Sequence, residues 1–135
     1  MRHLFIDTNV LIDVLLERDD YKSAARVLAL SGQPGLVLSV SVLTMANVVY
    51  VLRKVLRGDS LYDRLNELSF IFRVQPVTSA DYAAAVALRA RDFENSLQYF
   101  CARTACCDVI ISRNVKDFTF SELPVLSPSQ FLSGI

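Results

Sequence analysis

Histidine is almost absent from this sequence: His3 is the single one, so neither a zinc site nor a serine–histidine triad is expected at that position. Cysteine is nearly as sparse and odd in number. Cys101, Cys106 and Cys107 show neither metal-ligand spacing nor a nearby histidine, and all three are read as reduced thiols buried in the core. Neither sign of charge is in excess, because 14 basic and 14 acidic side chains give a formal net charge of zero. No bulk field therefore advertises nucleic acid as a partner. Neutrality does not exclude one, since acidic metal ligands and basic phosphate contacts cancel in the sum while staying separate on a surface. No stretch reaches the uninterrupted apolar length of a membrane span, and the N-terminus lacks the basic start and long apolar core of a secretory signal. The expectation is a cytoplasmic protein with no membrane partner. A glycine-rich phosphate loop is missing too, so nucleotide-dependent enzymes lack their usual signature.

What is present is apolar material arranged with regularity. With 53% hydrophobic residues in 135, the chain has enough to bury one core, and residues 1–135 are read as a single domain with no repeat, linker or low-complexity segment. Leu4-Phe5-Ile6, Leu36 to Val40, Phe72 to Val77, Val109-Ile110-Ile111 and Pro124-Val125-Leu126 read as strands. Between them, helical spacing predicts helices over Asn9 to Leu16, Tyr21 to Ser31, Ser41 to Arg57 with Gly58 as stop signal, Leu61 to Phe70, Tyr82 to Ala90 and Glu94 to Cys106. Thr78 with Asp81, and Ser127 with Gln130 around Pro128, have the form of capping boxes. Strands alternating with helices predict an α/β fold, a three-layer α/β/α sandwich around a central parallel sheet, with its site at the carboxyl ends of the strands.

Two strand ends carry the chemistry. The first apolar run delivers Asp7, then Thr8-Asn9; the run at Val109 leads into Ser112-Arg113-Asn114-Val115-Lys116-Asp117. Hard divalent cations take a few carboxylate oxygens plus retained waters, so Asp7 and Asp117 form a candidate metal half-site, and the chemistry suggested is metal-assisted phosphodiester cleavage.

Four blocks in order, Phe5 to Leu11, Ser41 to Asn47, Asp92 to Tyr99 and Ile111 to Phe118, resemble the PIN-domain family, in particular the small single-domain type that includes the VapC-like toxins of toxin–antitoxin pairs. The resemblance implies a cluster of acidic residues around magnesium or manganese (Mg2+ or Mn2+), hydrolysis of RNA, a possible antitoxin partner and a homodimer. Asp7 matches the first acid and Asp117 the last, whereas Asn47 and Asn95 stand where the family places its second and third acids. The expected site is therefore Asp7, Asp117, Asn47 and Asn95 as catalytic positions, with Asp7, Asp117 and one or both of Asp92 and Glu94 on the metal. Thr8, Asn9, Ser41, Thr44, Asn114 and Arg113 are expected in support or on substrate: Thr8 beside Asp7, Asn9 as cap of the first helix, Ser41 and Thr44 in the block of Asn47.

Each assignment has a structural alternative. Asp7 suits a helix cap, Asp117 a turn, Asp92 and Glu94 a helix N-terminus, and Arg113 and Lys116 solvated surface as well as phosphate. Arg53, Lys54 and Arg57 form a basic cluster late in the long helix. A catalytically degenerate PIN domain that binds RNA or protein is the second reading. A receiver-like domain is the third and fits less well, because Thr8-Asn9 stands where a receiver carries paired acids.

Overall fold

The computed structural model describes residues 2–135. Among them five parallel strands, β1 (Arg2–Ile6), β2 (Leu36–Ser41), β3 (Arg73–Gln75), β4 (Val109–Ile111) and β5 (Val125–Leu126), form one sheet in the order β3-β2-β1-β4-β5. The helices are α1 (Thr8–Leu16), α2 (Tyr21–Leu28), α3 (Val42–Leu52), α4 (Asp59–Ile71), α5 (Ser79–Leu88), α6 (Phe93–Thr104) and α7 (Pro128–Ser133), with a 3-10 turn at Val115–Phe118. Residues alternate between the faces of a strand, and here both faces are buried. Leu4 and Ile6 join Val40, Val109 and Ile111 in a core shared with α1, α2, α3, α4 and α7; Phe5 and Ile110 turn the other way, onto Tyr99, Cys101 and Ala102 of α6 and Phe118. Helix α5 packs on α6. The three-layer sandwich anticipated from the sequence is the observed architecture, and burial on both faces explains why its inner strands read as unbroken apolar runs.

The sheet order reverses between β1 and β4, which makes their carboxyl ends the topological switch point. The register pairs Ile6 with Ile111. Asp7 and Ser112, the residues that leave these strands, therefore emerge side by side.

Both capping boxes form, Thr78 with Asp81 before α5 and Ser127 with Gln130 before α7. Three expectations are corrected. Helix α3 ends at Leu52 rather than Arg57, and Gly58, at φ 57°, is the left-handed entry to α4 rather than the stop of α3. Strand β3 spans only Arg73–Gln75, because Pro76, without an N–H, closes this edge strand. Cys101 and Cys107 are buried, and burial pushes both thiols up to about 12, but Cys106 is exposed on a left-handed turn at φ 60°. His3 lies early in β1 with Nε2 2.5 Å from Ser39 Oγ, and burial, helped by Arg73, lowers its pKa.

Candidate active site

Asp7 is the best-buried carboxylate at this end of the sheet, only 3% exposed. Its N–H continues the β1–β4 ladder by donating to the Ile111 carbonyl at 2.9 Å. Oδ1 accepts from the Thr8 N–H at 3.0 Å, and Oδ2 accepts from the Ser112 hydroxyl at 3.0 Å. Asp7 is thus the N-cap of α1, the role expected of Asn9, which instead lies inside the first turn. Capping and site chemistry do not conflict, since each carboxylate oxygen has a further lone pair. Burial pushes the Asp7 carboxyl up to about 6; the bonds from Ser112 and Thr8 oppose that, and the negative charges of Glu94 and Asp92 add to it.

Beside Asp7 is a buried hydroxyl–amide network. Thr8 Oγ1 and Thr44 Oγ1 are 2.7 Å apart, and Gln98 Nε2 reaches both, at 2.8 and 2.7 Å. Ser41 caps α3 by accepting from the Thr44 N–H, and its hydroxyl donates to Thr44 Oγ1 at 3.2 Å. Ser41 and Thr44 are therefore supports, and Gln98 is the piece that locks α6 onto α1 and α3. Its Oε1 is buried with no partner among the described residues. That orphan sets an expectation: Gln98→Leu removes the unsatisfied acceptor together with the donors and costs about 1 kcal/mol, whereas Gln98→Ala adds a cavity and costs about 3 kcal/mol. Urea unfolding of the two variants measures the difference.

The remaining acids arrive from α6 and from the turn after β4. Asp92 is the N-cap of α6, accepting from the Asn95 N–H at 3.0 Å. Glu94 Oε1 accepts from Asn47 Nδ2 at 3.2 Å, so the second block meets the third across the cleft. Asn95 is half-buried at the third residue of α6. Asp117 is exposed on the 3-10 turn and shares a cavity wall with Asp92. Asn114 is drawn in through its backbone, its N–H donating to Ser112 Oγ at 3.1 Å.

Arg113 is not directed to substrate. Its Nη1 lies 2.9 and 3.0 Å from the two oxygens of Asp13 and also bonds Asp19, while Arg18 adds a longer contact at 3.4 Å. The reason is electrostatic. Asp13 is buried in α1, and burial raises its pKa despite these cations, so the pairing offsets a desolvation cost rather than adding stability. Arg113→Ala is expected to lose about 2 kcal/mol at pH 7, less than a fully buried pair because Arg113 is partly exposed and Arg18 remains. With Arg113 gone, Asp13 keeps its proton to a still higher pH. The loss therefore shrinks as the solution is made more acidic and the carboxyl becomes neutral, which chemical denaturation across a descending pH series checks.

The PIN domain family matches residues 3–116 of this chain. The chain belongs to the PIN-domain family. Ribonuclease VapC1 of Aquifex aeolicus (strain VF5) is 30% identical to it over 136 residues, covering 95% of this chain and 92% of that protein. Among solved structures, VapBC-1 from nontypeable Haemophilus influenzae superposes with a TM-score of 0.72 at 19% identity, over 94% of this chain and 98% of that one. A toxin–antitoxin complex from Klebsiella pneumoniae gives 0.68 at 24% identity, over 93% and 97%.

In this PIN domain the acids do not close into a ready cage: among the described residues no three His, Cys, Asp or Glu side chains are grouped to hold an ion. The donor set nonetheless fits a hard divalent cation. All candidate donors are carboxylate or amide oxygens, and no lysine or arginine forms an ion pair with Asp7, Asp92, Glu94 or Asp117 among the described residues. Magnesium needs only one or two carboxylates and fills its other positions with water. Two members of the site escaped sequence reasoning. Ser112 holds both Asp7 and Asn114, and its signal was its place directly after β4, matching that of Asp7 after β1. Gln98 had none beyond lying in the third block.

Proposed function

We propose that this chain is a metal-dependent endoribonuclease, the toxin component of a toxin–antitoxin pair. What carries the reading is Asp7, a buried carboxylate at the carboxyl end of the central strand, facing further acids without a compensating cation. Asp7 and Asp117, with Asp92 and Glu94, would hold Mg2+ or Mn2+, and Asn47, Asn95 and Asn114 would serve as amide partners. Bound there, the cation supplies Lewis-acid stabilisation of charge on the phosphodiester. The chain's own groups hold the donors still: Ser112 and the Thr8 N–H fix both oxygens of Asp7, and Asn47 fixes Glu94.

The hydroxyls around Asp7 are not free to act as covalent nucleophiles. Those of Thr8 and Thr44 are committed to Gln98 and to each other, and that of Ser112 to Asp7 and Asn114. His3 is engaged with Ser39, early in β1, away from the carboxyl end where Asp7 sits. Water is the attacking group in this reading, and the reaction is hydrolysis. The ribonuclease relative supports RNA as substrate, and the toxin–antitoxin complex from Klebsiella pneumoniae that shares the fold supports an antitoxin partner. Exposed Tyr50, Val55, Tyr62 and Phe70 on α3, α4 and their connection offer apolar surface to an antitoxin or a second copy of the chain. No described helix is long and apolar enough to cross a membrane, and RNA as substrate places the activity in the cytoplasm.

The test is cleavage of a mixed single-stranded RNA pool with magnesium or manganese. Wild type should cut, EDTA should stop it and Asp7→Asn should be silent. Equal cutting by wild type and Asp7→Asn would sink the proposal.

A further inference from the structure

Beside the acidic residues the protein has a further concave feature. A cavity of about 750 Å³ opens between the end of α5, the loop into α6 and the turn after β4. Its volume lies within the range of small-ligand sites, roughly 300–1,000 Å³. Asp92 and Asp117 line it, and the charge of Asp92 acts on Asp7, so it borders the site built on that carboxylate. The rest of the lining differs in kind. Arg91 and Lys116 contribute two cations, neither of which forms an ion pair among the described residues. Phe93 and Phe120 contribute aromatic surface. Phe120 is anchored edge-on against the buried Tyr99, at 5.4 Å and 76°. Phe93 remains 43% exposed, its ring braced by Tyr82 at 5.9 Å and 75°.

An exposed phenylalanine on the wall of a charged cavity is costly to leave in water and well shaped for stacking. Base–aromatic stacking is the sequence-tolerant means by which proteins hold single strands, and cations beside it meet the phosphates. Charge on the lining is mixed: Arg91 and Lys116 each stand next in the chain to an acid, Asp92 and Asp117. A cation bound at the acids would offset them and leave Arg91 and Lys116 for a neighbouring phosphate.

We propose that this cavity is a nucleotide subsite of the nuclease, in which a base adjoining the scissile phosphate stacks on Phe93 while Arg91 and Lys116 hold the neighbouring backbone phosphate. The proposal rests on the nuclease reading for its substrate, but binding can be measured apart from cutting. Phe93 then favours at the cut, modestly, the bases that stack most strongly, and the two cations grip every sequence alike.

The experiment measures fluorescence anisotropy of labelled single-stranded RNA oligonucleotides, with wild type in EDTA and with Asp7→Asn protein in magnesium. Phe93→Ala and Phe93→Leu are compared with Arg91→Ala and Lys116→Ala. The leucine variant keeps an apolar contact for Tyr82 but has no aromatic face, so both changes at Phe93 should weaken binding roughly ten-fold or more and alter the product ends of cleavage. Each cation variant should weaken binding to all sequences and lower the slope of log affinity against log salt by about 1. Unchanged affinity and product ends in both Phe93 variants would overturn the subsite, and a protein partner would then be the better occupant of the cavity. So would absence of RNA binding by wild type in EDTA together with absence in Asp7→Asn in magnesium. The two ideas separate cleanly. Cutting that depends on Asp7 but not on Phe93 keeps the nuclease and removes the subsite; binding that depends on Phe93 without cutting by any form does the reverse.

Discussion

Asp7→Asn is expected to abolish RNA cleavage, by roughly a hundred-fold or more, and to make the metal-free protein more stable. The first effect follows from the share one charged ligand has in the several kcal/mol that a bound cation supplies to the transition state. The second follows from linkage. The folded-state pKa of Asp7 stands at about 6 against an ordinary 3.8, so the folded protein holds the proton more tightly than the unfolded chain does. Stability from this group is complete below about pH 4 and is lost as pH rises through 6, to a total of about 3 kcal/mol at 1.36 kcal/mol per pKa unit. Asparagine carries no such penalty. Its oxygen can still accept from the Thr8 N–H, and its amide can donate to Ser112 Oγ in place of the present bond. Thermal melts in EDTA at pH 4 and 7.5 should show the variant's lead small at the lower pH and close to its full size at the higher. Adding manganese should stabilise wild type and leave the variant unmoved, because a ligand stabilises only the state that binds it. A variant that melts below wild type at pH 7.5 in EDTA would show that Asp7 is held for the fold.

The reverse change is the double variant Asn47→Glu, Asn95→Asp, which restores acids at the positions where this chain carries amides. Asn47 now donates to Glu94 at 3.2 Å; a glutamate there sets carboxylate against carboxylate. Without a cation the double variant should therefore lose about 1–2 kcal/mol relative to wild type, as like charges gathered in one site disfavour ionisation. With a cation the added charges become ligands. The manganese concentration giving half-maximal cleavage should fall at least ten-fold, read from a metal titration at fixed RNA. If wild type is silent and the double variant cuts, the amides have switched off an otherwise intact site. Equal titrations would mean that Asn47 and Asn95 lie outside the coordination sphere.

The layers of the sandwich and most of its helices were legible because their signals are local. Leu4-Phe5-Ile6 and Val109-Ile110-Ile111 announce buried strands wherever they occur, and Thr78 with Asp81 or Ser127 with Gln130 announces a helix start. Asp7 was legible for the same reason, as a carboxylate at a strand end. What the sequence hid depends on who stands next to whom. Arg113 looked like a phosphate contact until the fold put Asp13 and Asp19 within its reach, 100 and 94 residues away. Gln98 gave no sign that α6 turns its amide inward onto two threonines. Gly58 follows a basic run and looks like the stop of one helix, though its geometry opens the next. Asn9 was passed over as a cap because Asp7, two residues earlier, already does that work from the strand end.

The bond between Ser112 and Asp7 joins groups 105 residues apart, and that span has a temporal meaning. A chain emerging from the ribosome displays Asp7 more than a hundred residues before the hydroxyl that holds it. Until β4 slots in beside β1, Asp7 has neither the Ile111 carbonyl to fix its backbone nor Ser112 to aim its carboxylate. Assembly of this carboxylate's surroundings therefore waits on the pairing of two strands that are distant in the order of synthesis.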